Sequence, residues 1–214
     1  MNIIIKTRKQ HPVTDEALYA LMQQSYQQWR DAGIEAAWLH RTIDDFREVI
    51  RNTVVFLAVN TDDDSLLGMH CFNCYPKLHY AHGFYLAIAP QAKQQGIATR
   101  MLQYEEERFA THGYRHLQGV SKVSAIWSVR WHLKNGYRIV GYSISENSNC
   151  ASYTFRKQIA TDIRHHPSDI LWLPFLAPII AKISFVISYL ITTISKTHSG
   201  QLNVIGRLAK RIWK

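Results

Sequence analysis

The sequence predicts a mixed α/β domain followed by an apolar helical tail, and three observations predict it. An apolar run from Phe84 to Ala89 stops at Pro90, which cannot donate to a sheet ladder. A glycine-bearing loop comes next, and behind it Ile97, Met101 and Tyr104 recur at helical spacing, so the stretch is strand, loop and helix. Strand-like and helical patterns then alternate on both sides of it as far as residue 159, beyond which the composition changes.

Taken in order, Asn2 to Lys6 is expected as the first strand. Thr14 offers an N-cap, ahead of Asp15 and Glu16, to a helix running through Trp29 with Leu18, Leu21, Met22 and Tyr26 on one face. A loop from Asp31 to Arg41 follows, and then a short helix from about Ile43 to Arg51. Trp29 and Trp38, beside that loop, are either walls of an acceptor pocket or core anchors. Thr53 to Val59 and Leu66 to Tyr75, rich in β-branched and aromatic residues, make a hairpin about the acidic turn from Asn60 to Ser65.

The long helix after Pro90 is expected to reach about His112, with Gly113 closing it and Tyr114 to Val120 forming the next strand. Ser124 to Asn135 is a further helix ended by Gly136. Tyr137 to Ser145 and Ala151 to Lys157 then pair as a final hairpin around Glu146 to Cys150.

Backbone N–H groups of the loop and of the first helical turn behind it have no intrahelical partners, and the helix dipole adds positive charge there, so the place suits a phosphate. Its residues, Lys93-Gln94-Gln95-Gly96-Ile97-Ala98, resemble the pyrophosphate-binding motif of the GNAT acyltransferases: Arg or Gln, two residues, Gly, one residue, then Gly or Ala. Lys93 departs from the usual Arg or Gln. The order of elements matches that family over about residues 1–159. The resemblance implies a mixed, mostly antiparallel central sheet flanked by helices, and acetyl-CoA or another acyl-CoA as co-substrate. It places the coenzyme on Lys93, Gln94, Gln95, Gly96, Ile97, Ala98 and Thr99, with strand-like hydrogen bonds from the backbone near Ala87 and Ile88.

Ala125 to Tyr137 carries a second point of resemblance: Ser128, Lys134, Gly136 and Tyr137 fall in register with a helix that precedes the last hairpin in many members. That register puts His132 where the family often has the tyrosine that protonates the departing thiolate. A histidine, with an ordinary pKa of about 6.5, can give that proton too, or it is a helix-surface residue with no role. Transfer to an amine also needs a base, because an ammonium cannot attack a thioester. His82, at the start of the strand that ends at Pro90, stands where several GNAT enzymes carry a catalytic Glu or His, with His79 and Tyr85 in reserve; alternatively it is a solvated strand end.

A formal net charge of +9 over 214 residues favours anionic partners such as CoA phosphates, nucleic acid or an anionic membrane. Cys71, Cys74 and Cys150 form no disulfide framework, and the first ten residues lack a signal-peptide apolar run, which points to the cytoplasm. Cys71 and Cys74 sit among His70, His79 and His82, but an offset of three on a strand sends the thiols to opposite faces, so no metal site is expected.

From Ala160 to Lys214 an apolar and basic amphipathic helical tail is expected. Asp169 to Ile194 holds one charge after its first residue, Lys182, and Pro174 and Pro178 divide it. Ile205, Leu208, Ala209 and Ile212 then form an apolar face against Arg207, Lys210, Arg211 and Lys214, a pattern suited to an anionic membrane surface. A single crossing would separate a CoA-using domain from the basic end, so residues 170–214 are expected to lie peripherally at the inner membrane surface, or to pack on the domain or in a homodimer. A nucleic-acid role fits less well, since the basic residues follow a helix face and do not interleave with exposed aromatics. Two function classes follow: an N-acetyltransferase acting on an amine-bearing acceptor, or a CoA-binding regulatory module that kept the fold without the chemistry.

Overall fold

The computed structural model describes residues 2–34, 36–145 and 150–160. The tail expected over residues 160–214 lies, from residue 161 onward, outside the described residues, as do residues 146–149 of the connection expected from Glu146 to Cys150.

Seven strands form one sheet in the order β1-β2-β3-β4-β5-β7-β6. They are β1 Ile3–Thr7, β2 Val54–Asn60, β3 Leu66–Tyr75, β4 Tyr80–Ile88, β5 His116–Lys122, β6 Arg138–Ser145 and β7 Cys150–Gln158. Every neighbouring pair is antiparallel except β4 and β5. The helices are α1 Asp15–Ser25, α2 Gln27–Asp31, α3 Ile43–Ile50, α4 Ile97–Thr111 and α5 Ile126–Lys134. Phe46, Leu18 and Met22, from α1 and α3, are fully buried, as are Phe56 and Phe72 of the sheet with Met101 and Leu102 of α4. Phe109 of α4 lies 5.6 Å from Phe56 and 4.8 Å from Phe72, ring centre to ring centre, which seats α4 on β2 and β3.

Three elements differ from the sequence expectation. The helix expected from Thr14 to Trp29 is two, α1 and α2, broken at Tyr26. Both residues at the break bond to β4: the Ser25 hydroxyl accepts the Ile88 N–H at 3.0 Å, and the Tyr26 hydroxyl donates to the Leu86 carbonyl at 3.0 Å. The strand expected from Tyr114 begins at His116. Tyr114 is spent closing α4, its N–H reaching Phe109 O at 3.1 Å while Gly113, at φ +80°, donates to Ala110 O at 3.0 Å. Ala37–His40, expected as loop, forms a 3-10 turn.

Two irregularities of β4 position everything that follows. Its parallel pairing with β5 runs only from Tyr80↔His116 to Gly83↔Gly119, after which the strands part. Beyond that fork, Met69 pairs with Ala87 but Cys71 with Phe84, so β4 holds one residue more than β3 between those pairs. Tyr85 sits in this bulge at φ +52°, a left-handed conformation that costs a non-glycine residue about 1–2 kcal/mol.

Candidate active site

A cavity of about 830 Å³ opens at the fork. The loop before α4 lines one end and the α1–α3 segment another, while α5 closes a side. Among the described residues no Asp or Glu lines it, and the fixed charges of the lining are Arg41, Lys93 and Lys134.

Gln94, at φ +63°, and Gly96, at φ +75°, are both left-handed, and Gly96 caps α4 with no side chain bonded over the helix end. Arg100 N–H already returns to Gly96 O at 3.0 Å, so the N–H groups left over by the helix are those of Ile97, Ala98 and Thr99. A Cβ built on Gly96 meets nothing within 4 Å, so the space in front of it is open. Gln95 turns aside, its amide donating to Gln91 O at 3.0 Å. Lys93 is also turned away: its ammonium donates to Ser25 O at 3.0 Å and Gln28 Oε1 at 2.8 Å, and burial lowers its pKa. The cation that the motif resemblance placed at the diphosphate therefore ties the loop to the α1–α2 break.

The backbone near Ala87 and Ile88 is only partly open, since the Ile88 N–H goes to Ser25. His82 is the third residue of β4 and not its first, since the strand begins at Tyr80. It is half-buried on the cavity wall, and its pKa is lowered chiefly by burial and further by the charge of His70. Of the two reserves, His79 is exposed, with Nδ1 at 3.0 Å from Gly113 O, whereas Tyr85 lines the cavity and receives a hydrogen bond from Arg41.

His132 is held by two neighbours. Its ring stacks on Phe155 with centres 4.4 Å apart, and its Nδ1, assigned as protonated, donates to Ser128 O at 2.8 Å. Burial takes its pKa down to about 4. At neutral pH it is therefore uncharged with its N–H already engaged, which does not match the proton donor expected from the sequence in the resting state.

Sequence reasoning missed a buried pair beneath the fork. His70 of β3 and Glu105 of α4, respectively 6% and 0% exposed, meet with Nδ1 2.9 Å from Oε2. The other carboxylate oxygen, Oε1, has no hydrogen-bond partner among the described residues. A Cβ on Gly83 would come within 2.7 Å of His70 Nε2, and one on the paired Gly119 within 3.2 Å of His132 Nε2. Two facing glycines thus leave room at the fork for two imidazoles, His70 from β3 and His132 from α5. His70 was visible only as one of several histidines near Cys71, and Glu105 only as one letter in a run of three glutamates. Trp131 Nε1 is likewise buried without a partner on the cavity wall.

Among the described residues no three His, Cys, Asp or Glu side chains come together as metal ligands. Cys71 is fully buried and Cys74 half-buried, and burial pushes both thiols up. No helix among the described residues is long and apolar enough to cross a membrane.

Comparison with known proteins adds the following. Residues 16–137 match the profile of the acetyltransferase (GNAT) family. No curated protein matches the sequence significantly. An aminoglycoside 6'-N-acetyltransferase complexed with coenzyme A superposes with a TM-score of 0.56 at 16% identity, over 77% of this chain and 100% of that one. The PaiA N-acetyltransferase of Thermoplasma acidophilum, also in complex with coenzyme A, gives 0.56 at 17%, over 74% and 99%. A GNAT-family acetyltransferase structure from Desulfovibrio desulfuricans gives 0.57 at 14%, over 74% and 100%. At these identities the likeness is one of fold.

Proposed function

The chain belongs to the acetyltransferase (GNAT) family, and from that premise we propose that it transfers an acetyl or longer acyl group from acyl-CoA to a primary amine by direct attack. One observation carries the proposal: a single cavity is lined by both the open helix end at Gly96–Thr99 and His82 on β4. Coenzyme A complexes among the structural neighbours support it.

In the proposed reaction the coenzyme's diphosphate lies against Gly96, Ile97, Ala98 and Thr99, where the N–H groups and the helix dipole favour an anion. Its pantetheine lies along β4 at Ala87, and at Ile88 it displaces the Ser25 hydroxyl. Burial keeps His82 neutral at physiological pH, and it takes the proton that the ammonium must lose, directly or through a water. The amine lone pair forms the C–N bond at the thioester carbonyl, the C–S bond breaks, and CoA leaves as a thiolate that is then protonated. The nitrogen sheds its second proton on becoming an amide, and that proton neutralises the thiolate; His132, whose Nδ1 proton is held by Ser128 O, is assigned to the sulfur end as the relay that takes the proton on Nε2 and passes it to sulfur.

Gly96→Glu tests the foundation. It places a negative side chain in the open space before the helix end, so calorimetry should show CoA binding lost in a protein that still folds. Unchanged CoA affinity in a folded Gly96→Glu protein would remove the proposal. One observation favours a second reading, a CoA-binding module without catalysis: resting His132 has its N–H committed to Ser128. Binding of CoA with no acylation of any amine in a broad panel would select it.

For residues 160–214 the proposal rests on sequence alone: an apolar and basic tail that holds the catalytic domain, residues 1–159, at the cytoplasmic face of an anionic membrane.

A further inference from the structure

The cavity end formed by the α1–α3 segment has a chemistry of its own. Tyr26, Trp29, Trp38 and Tyr85 line it, and their rings meet edge to face. The Trp38 ring centre lies 4.5 Å from that of Tyr26, 5.3 Å from Trp29 and 6.0 Å from Tyr85. A wall of this kind takes a flat or bulky apolar body. Tyr85 faces this end from its strained position in the β4 bulge, stacked on Phe46 with ring centres 5.8 Å apart.

Among the described residues of this segment, Arg41 is the one charged side chain in the lining. One guanidinium nitrogen donates to the Tyr85 hydroxyl, and Cζ stands 6.0 Å from the Tyr85 ring centre. The acid whose charge it influences, Asp45, is committed to the N-cap of α3, accepting from Thr42 N at 2.9 Å and Thr42 Oγ1 at 2.8 Å. Among the described residues Arg41 forms no ion pair, so the rest of its planar fork is free for a bidentate carboxylate. No acid among the described lining residues is there to pair with a polycation. The surrounding positive charge instead favours the neutral, nucleophilic form of an amine.

Resting on the acyl-transfer reading above, we infer that the acceptor is a small amine that joins an aromatic or bulky apolar body to a carboxylate. Free aromatic amino acids are the simplest members of that class. The ring packs on Trp29 and Trp38, the carboxylate meets the free edge of Arg41, and the amine is left to His82.

Thiol release from acetyl-CoA should be measured with tryptophan, its decarboxylated analogue tryptamine, spermidine and kanamycin. Tryptophan should exceed tryptamine in kcat/KM by roughly tenfold or more, the worth of one charge-assisted pair, and the polycations should be poorest. Arg41→Met should collapse the tryptophan-to-tryptamine ratio through KM while CoA affinity holds, and Trp38→Leu should weaken both aromatic acceptors. A preference for spermidine or kanamycin, or a ratio unchanged in Arg41→Met, overturns the inference and leaves acyl transfer standing. Calorimetry of the CoA-loaded protein with tryptophan and tryptamine reads the same preference without turnover. Selective binding of tryptophan with no thiol release supports the acceptor site and defeats the acyl-transfer reading; no discrimination in either measurement overturns the inference.

Discussion

The imidazole of His132, stacked on Phe155, has a pKa of about 4 in the folded protein against an ordinary 6.5, because burial penalises its charged form. The unfolded chain therefore binds a proton at this position below pH 6.5 that the folded chain refuses until about pH 4. The resulting stability is complete above pH 6.5 and is lost as pH falls toward 4, by on the order of 3 kcal/mol in all. Urea unfolding of His132→Phe across pH 4 to 7 should show a flatter acid side than the native chain; parallel curves would contradict the burial. His82 makes a kinetic counterpart. Its pKa is lowered, so the base form persists to lower pH, and the acid limb of kcat/KM should fall below the ordinary imidazole value and disappear in His82→Gln. Glu105 carries a third expectation at this scale: Glu105→Ala strands His70 without its buried partner and should cost about 3–5 kcal/mol in urea unfolding. His82 and His132 were nameable as candidates from sequence, the first by its place on the strand that ends at Pro90 and the second by a motif register. The His70–Glu105 pair was not, since its members lie 35 residues apart on a strand and a helix and share no local pattern.

Among the elements, those whose ends carry capping or turn chemistry were legible nearly to the residue. The hairpin strand from Leu66 to Tyr75 follows an acidic turn, and α4 begins directly after a left-handed glycine. What escaped was tertiary in origin. No residue in the run from Thr14 to Trp29 announces a break, because the break answers to partners 60 and 63 residues ahead on β4. The β4 bulge is equally silent in sequence, since tyrosine is not a residue that advertises positive φ. The pinning of α1 to β4 can be measured. Tyr26→Phe removes the bond to Leu86 O and should cost about 1 kcal/mol of stability. Ser25→Ala frees the Ile88 N–H and should alter the KM for acetyl-CoA more than kcat.

For the whole molecule, the order of strands and helices gave the fold away, because only a few arrangements accommodate that sequence of elements around one sheet. β7 pairs with β5 from Ser152 to Gln158 and with β6 along its other edge, so the sheet is complete by Gln158. A chain ending at residue 160 should therefore unfold cooperatively and bind CoA, whereas the full chain should partition onto anionic vesicles in a salt-sensitive way. Replacing Arg207, Lys210, Arg211 and Lys214 with Glu should abolish that partition at low salt, at about 1 kcal/mol per basic residue near the surface. A full-length protein indifferent to anionic vesicles would refute the membrane assignment of the tail.

The parting of β4 from β5 after Gly83 also gives this sheet a strand edge in its interior. Past that residue the side of β4 that faces β5 has no neighbouring strand in register among the described residues, the same liability that outer strands of other sheets blunt with charge or proline. Here the residues on that stretch are Phe84, Tyr85, Leu86, Ala87 and Ile88, with no charge or proline among them; the bulge at Tyr85 and the bonds of Leu86 O and Ile88 N–H to Tyr26 and Ser25 cover it only in part. On the proposed function the coenzyme occupies this seam and acts as a removable plug. The empty protein should then be the form that self-associates, with light scattering on warming suppressed by saturating CoA well before any change in the unfolding midpoint accounts for it.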